Sequence, residues 1–130
     1  MANTQFKDIA FNGKKYVTVG ETGNIATSND GVNWAPQMSN ITENLHSIEW
    51  VDGQFISVGE EGTIISSIDG DNWTSDPSLN SSRLTSIATN GKTTVIGGWD
   101  SGPKDNLFIS TDEQKWSDLD ILRNLQIFGY

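Results

Sequence analysis

The chain repeats itself at a fixed interval, and no other feature constrains its fold as much. The segment FKDIAFNGKKYVTVGETGNIATSNDGVNW, beginning at Phe6, lies without a gap over LHSIEWVDGQFISVGEEGTIISSIDGDNW, beginning at Leu45, so that the step from Phe6 to Leu45 equals the step from Trp34 to Trp73. A third copy begins at Leu84, the same step beyond Leu45, but reaches its own tryptophan, Trp116, later than that step allows, which places a four-residue insertion near GGWDSGPKDN. A fourth begins at Leu125 in LQIFGY and does not continue. One unit of this size cannot bury its own apolar residues, so the copies must stack on one another to make a core.

Within each copy the apolar residues follow a period of two rather than 3.6. Ile9 and Phe11, then Tyr16, Val17 and Val19, then Ile25 read as short strands separated by the turn signals NGK and ETGN. The spacing predicts strand A over 7–11, strand B over 16–20, strand C over 24–28 and strand D from Trp34. The best helical candidate, DLDILRNLQIF, is short, and its last part aligns with a strand in the other copies. The expected class is all-β: three four-stranded antiparallel propeller blades plus a terminal strand, an incomplete β-propeller. The whole of 1–130 reads as a single repeat domain, with blade 1 at about 4–42, blade 2 at about 43–82, blade 3 at about 83–122 and the terminal strand at 123–130.

Charge and composition exclude several partners. With 8 Lys+Arg against 17 Asp+Glu and a net charge of −9, the chain is a poor match for a phosphate backbone or an anionic membrane surface. Neither nucleic acid nor membrane is expected as a partner. The absence of cysteine excludes disulfides, thiolate metal sites and cysteine nucleophiles, and says nothing firm about compartment. The N-terminal segment MANTQFKDIAFNGKKY has no uninterrupted apolar stretch, so no secretory signal is expected in it. Extracellular, virion and cytoplasmic locations all remain open.

The most conspicuous local motif is a turn used three times: SNDGVNW at 28–34, SIDGDNW at 67–73 and STDEQKW at 110–116. An Asp at the third position accepts hydrogen bonds from backbone N–H groups two or three residues on, and the glycine after it supplies a positive φ. Ser28, Asp30, Gly31 and Trp34, Ser67, Asp69, Gly70 and Trp73, and Ser110, Asp112 and Trp116 are therefore expected to form structural latches between strands C and D. Each tryptophan is expected to wedge between neighbouring blades, largely buried.

This S-x-D-G-x-x-W pattern, following an I-x-x-S strand, resembles the Asp-box, or BNR, repeat of sialidase-like and photosystem II assembly-factor-like β-propellers. The resemblance spans nearly the whole chain. It departs from the family in two places: the box is one residue shorter than the usual S-x-D-x-G-x-x-W form, and Glu113 stands where the third copy should have glycine. The resemblance implies that the box aspartates form turns rather than act as acids. Sialidases of this kind use three arginines, a tyrosine nucleophile with its glutamate, and an aspartate. This chain has only Arg83 and Arg123, and its tyrosines are Tyr16, in a strand, and Tyr130. No catalytic residue carries over, and the protein is expected not to be an enzyme.

Other candidates reduce to bland readings. DGDN at 69–72 lacks the ligand spacing and closing glutamate of a calcium loop, so neither a metal nor another cofactor is expected. The single His46 reads as a loop or strand-edge residue, and Glu60 and Glu61 in VGEEG as an exposed charged turn.

Loops that break a repeat are the usual carriers of function on a rigid scaffold. PQMSNITEN, DPSLNSSR and WDSGPKDN do so on one rim, and Trp99, Asp100 and Lys104 are the contact candidates there. Propellers typically use four to eight blades. Three blades and a stub would leave open faces, so the expected partner is a second copy, a dimer completing six blades, or a different protein. A glycan is the further candidate ligand of the loops. The function expected is a non-enzymatic module for binding or structural assembly, including a surface or virion component, with an accessory factor for assembling a larger complex as the alternative and a glycoside hydrolase fragment behind both.

Overall fold

The computed structural model describes residues 5–79, 83–99, 107–112 and 115–118. Twelve strands in these residues form three antiparallel sheets of four, each in simple sequential order. The first sheet holds β1 (Phe6–Phe11), β2 (Tyr16–Gly20), β3 (Ile25–Ser28) and β4 (Ala35–Gln37). The second holds β5 (Leu45–Val51), β6 (Gln54–Gly59), β7 (Ile64–Ser67) and β8 (Thr74–Asp76). The third holds β9 (Arg83–Thr89), β10 (Thr94–Trp99), β11 (Leu107–Ser110) and β12 (Ser117–Asp118). The only helical element among the described residues is a single 3₁₀ turn at Glu21–Gly23.

Local chemistry explains the meanders. Between β1 and β2 the Asn12 carboxamide oxygen accepts from the N–H groups of Lys14 and Lys15 at 2.9 and 2.7 Å, closing the turn with a side chain. Asn90 does the same for Lys92 and Thr93 in the third sheet. The second sheet uses a different device: Asp52 (φ 49) and Gly53 (φ 82) form a two-residue hairpin with both φ angles positive. Where β6 ends, Gly59 allows a close backbone approach, since a Cβ there would sit 1.9 Å from the Asn44 carbonyl oxygen. Gly20 holds the same position against Gln5.

The sheets stack face to face, and the core lies in the two seams. Val17, Val19 and Ile25 of the first sheet pack on Leu45, Ile48, Phe55, Ile65 and Trp73 of the second. Val51, Ile56, Val58 and Ile64 on the other face of the second sheet pack on Leu84, Ile87, Ile96 and Phe108 of the third. The middle sheet is thus apolar on both faces, which is why Phe55 and Ile56 of β6 and Ile64 and Ile65 of β7 stand as adjacent apolar pairs, one member for each seam. Full burial of each such side chain stabilises by roughly 1.5–3 kcal/mol.

Of the three box tryptophans, Trp73 is buried as expected, while Trp34 and Trp116 depart from expectation. Trp73 is 8% exposed and sits in the first seam. Trp34 and Trp116 are only half-buried. Trp73 faces the first sheet, but nothing among the described residues occupies the same place in front of Trp34, and Trp116 borders an outer strand, β12, of two residues. The expected terminal strand at 123–130 lies outside the described residues.

Candidate functional site

The repeated turns are closed polar units. In the first, Asp30 Oδ1 accepts from the N–H groups of Val32 and Asn33, both at 2.8 Å, while Oδ2 takes the Asn33 amide at 2.9 Å. Ser28 donates to the same carboxylate at 3.0 Å and accepts from Gly31 N–H at 2.8 Å. Asp69 repeats this with Asp71, Asn72 and Ser67, and Ser67 Oγ accepts from Gly70 N–H at 2.7 Å. Gly31 (φ 79) and Gly70 (φ 83) occupy the left-handed region. The indole N–H of Trp73 donates to Gly70 O at 2.8 Å, and that of Trp34 to Gly31 O at 3.1 Å. In the third copy Ser110 donates to Asp112 at 3.1 Å, and Asp112 accepts from Lys115 N–H at 3.1 Å. The backbone N–H of Asn33 first, then the other donors, hold the Asp30 carboxyl well below the usual range; for Asp69 the backbone N–H of Asn72 leads. These carboxylates are acceptors already filled by their own turns, and they do not hold a proton to transfer near neutral pH.

Polar groups also tie the sheets together. Asp8 Oδ2 crosses the first seam to accept from Ile48 N–H at 2.9 Å and from the Ser47 hydroxyl at 3.2 Å. Partial burial, and after it the nearby Asp8 charge, pushes the Glu49 carboxyl up. Lys15 reaches from the first hairpin to the second sheet's turn, 2.9 Å from Asp71 Oδ2 and 3.0 Å from the Asp69 carbonyl. At the second seam, Glu60 Oε2 lies 2.5 Å from His46 Nε2 and 2.8 Å from Arg83 Nε. Burial pushes the Glu60 carboxyl up, but the hydrogen bonds and charges of His46 and Arg83 together outweigh it and hold the group below its ordinary value. Glu60 is therefore an inter-sheet partner rather than the exposed turn charge expected from VGEEG. His46 does lie in a strand, as the second residue of β5. Among the described residues no buried side-chain polar atom lacks a partner, and no group of three His, Cys, Asp or Glu could hold a metal. No helix there is long and apolar enough to cross a membrane.

Of the rim candidates, Trp99 closes β10 and is 55% exposed, with the Arg83 guanidinium 5.8 Å from its ring centre. Asp100 and Lys104 lie outside the described residues.

The feature that sequence reasoning missed is the outer face of the first sheet. Ile9 (52% exposed) and Phe11 (48%) stand there beside Tyr16, Thr18, Ala26 and Trp34. Phe11 and Tyr16 stack with ring centres 4.4 Å apart, and Tyr16 and Trp34 follow at 6.4 Å. Phe6, Ile9, Thr18, Ala26 and Trp34 line an apolar groove of about 330 Å³. At the equivalent positions of the second repeat, this face becomes Ile48, Trp50, Phe55, Ser57, Ile65 and Trp73. There the same aromatic ladder, Trp50–Phe55 at 4.7 Å and Phe55–Trp73 at 6.5 Å, is covered by the first sheet. The signal was in the sequence, as the six repeat positions compared face by face. A second groove, of about 380 Å³, runs beside Gln54, Ser66, Ile68 and Asp69, where the turn's own bonds occupy the Asp69 carboxylate.

No family model matches the chain, and no curated protein matches it. Among solved structures it is similar to YCF48 bound to D1 peptide, with a TM-score of 0.70, 18% identity and coverage of 88% of this chain. The match spans 40% of that chain's length. YCF48 is a β-propeller, and at this identity the likeness speaks to fold alone. Three stacked four-stranded antiparallel meanders, superposing on such a neighbour, have a propeller-like fold, and the sheets are its blades.

Proposed function

We propose that the chain is a non-catalytic β-propeller module for protein binding and assembly, with its repeated turns serving as Asp-box latches and the outer face of the first blade as its contact surface. The observation that carries this reading is the face on which Ile9 and Phe11 are exposed and Tyr16 and Trp34 half-buried, while at its counterpart in the second blade Ile48, Phe55 and Trp73 are buried. An aromatic ladder half open to water is the composition of an interface core. The turn carboxylates are saturated by backbone donors, which supports a scaffold role for them rather than acid–base chemistry. The solved neighbour is bound to a peptide, which favours a protein ligand over a glycan and keeps an accessory assembly role in view.

The test compares the native chain with Ile9→Asp, using light scattering for mass and an apolar fluorescent dye for open hydrophobic surface. The reading predicts that circular dichroism is unchanged while mass or dye binding changes. If neither changes, the face is not a contact surface.

A further inference from the structure

The two blades at the ends of the stack differ in what they expose. The first presents the aromatic ladder. The third presents Ala88, exposed, with Val95, Leu107 and Ile109 half-buried. By the repeat, Ala88, Val95 and Leu107 correspond to Ala10, Val17 and Ile25, the residues through which the first blade covers the second. They also correspond to Glu49, Ile56 and Ile64, of which Ile56 and Ile64 pack on the third blade. The third blade therefore offers the kind of face that covers an aromatic ladder at the first seam, and the first blade offers an uncovered ladder.

The hairpin positions agree. Across the first seam, Lys15 meets Asp71, a cation against an anion. The same pair of repeat positions reads Gln54 and Gln114 for the second seam, although Gln114 lies outside the described residues. For a seam between a third and a first blade, the pair reads Thr93 and Val32. Val32 is 78% exposed, an apolar residue at the tip of a polar turn, where the second blade has the Asp71 that Lys15 requires. A threonine methyl suits a valine there; a lysine would not.

We propose that a second copy of this chain covers the open ladder, the third blade of one copy packing on the first blade of the other at two equivalent seams, with Thr93 of one copy set against Val32 of the next. The proposal rests on the reading of the Ile9 face as a contact surface and names its occupant. Two copies arranged in this way bring six blades together, within the four to eight that propellers use.

The experiment measures molar mass against concentration by light scattering for the native chain and two double variants. Both altered positions lie in surface turns, and circular dichroism checks that each variant folds. The native chain is expected at twice 14.2 kDa. Val32→Lys with Thr93→Lys places like charges across each seam and should raise the dissociation constant about ten-fold or more. Val32→Asp with Thr93→Lys rebuilds the Lys15–Asp71 arrangement and should restore the dimer. A native monomer at every concentration that binds an apolar dye, with binding lost in Ile9→Asp, overturns the second-copy proposal and leaves the contact surface standing. A native monomer that binds no dye overturns both. A dimer equally tight in both double variants overturns the proposed seam.

Discussion

Lys15 Nζ lies 2.9 Å from Asp71 Oδ2 and 3.0 Å from the Asp69 carbonyl, so the first hairpin of one blade holds the repeated turn of the next. The turn therefore has two roles: its Ser and Asp side chains close the loop, and its backbone and tip receive the neighbouring blade. Gly70 sits between them, where a Cβ would fall 2.9 Å from Val17 Cγ2 and 3.3 Å from Lys15 Cδ. Turn geometry and blade stacking are thus one piece of structure, and substitutions in the turn should be felt at the seam.

Trp73 fills the first seam and Trp34 does not fill one, so the same substitution should have unequal effects. Trp73→Ala is predicted to cost about 3–5 kcal/mol, through lost burial and the cavity left behind. Trp34→Ala should cost well under half as much in the monomer. Urea denaturation midpoints, measured at concentrations where light scattering reads a single chain, check this, and equal shifts for the two variants there would contradict the assignment of faces.

The saturated turn carboxylates make stability depend on acid pH. Asp69 has a folded pKa depressed below its unfolded value near 3.8, so the unfolded chain binds the proton more readily. The stability it contributes is fully present above about pH 5 and is lost as pH falls through the unfolded value toward the folded one. Asp69→Asn keeps an acceptor oxygen but removes the charge. Its stability should be lower at pH 7 and should fall less steeply between about pH 4 and pH 2, as read from thermal unfolding midpoints across that range.

Glu60 bridges His46 and Arg83, but Arg83 is half open to solvent. Screening limits such a pair, and Glu60→Gln is predicted to cost about 0.5–1 kcal/mol, with the difference shrinking in high salt. A difference that grows with salt would contradict an ionic origin.

Gly59 has no room for a side chain, because the Asn44 carbonyl occupies the place of its Cβ. Gly59→Ala is predicted to destabilise by about 1–3 kcal/mol, since the obstruction is backbone and cannot rotate away. Gly53→Ala, with nothing within 4 Å of its Cβ position but a φ of 82, should cost less. Chemical denaturation of the two variants side by side decides the order.

Much of the blade was legible in the sequence. The two-residue alternation and the turn signals located β2 (Tyr16–Gly20) as written and β3 (Ile25–Ser28) to within one residue, and the repeat carried them to the second sheet. The seams were harder to read. Trp34 and Trp73 occupy one repeat position, yet burial depends on which blade stands in front, which is a property of neighbours rather than of the repeat unit. The Glu60–Arg83 pair joins residues of different blades at positions that the other copies fill with Glu21 and Asn44, so no local pattern announces it. The Ile9 face could have been found, since its counterparts Ile48, Trp50 and Phe55 are larger or equally apolar, but only once the strands had been assigned faces.

Cover of the first blade's aromatic face by another blade of this repeat has a direct chemical test. The chain contains no cysteine, so a single introduced thiol reports one position without background. The rate of alkylation of Ile9→Cys is measured across protein concentration, beside Asn29→Cys on an exposed turn. With the face covered by a second copy, the Ile9→Cys thiol becomes progressively protected as concentration rises, while the Asn29→Cys thiol reacts at a constant rate. An Ile9→Cys thiol that reacts as fast at high concentration as at low, in parallel with Asn29→Cys, would contradict it.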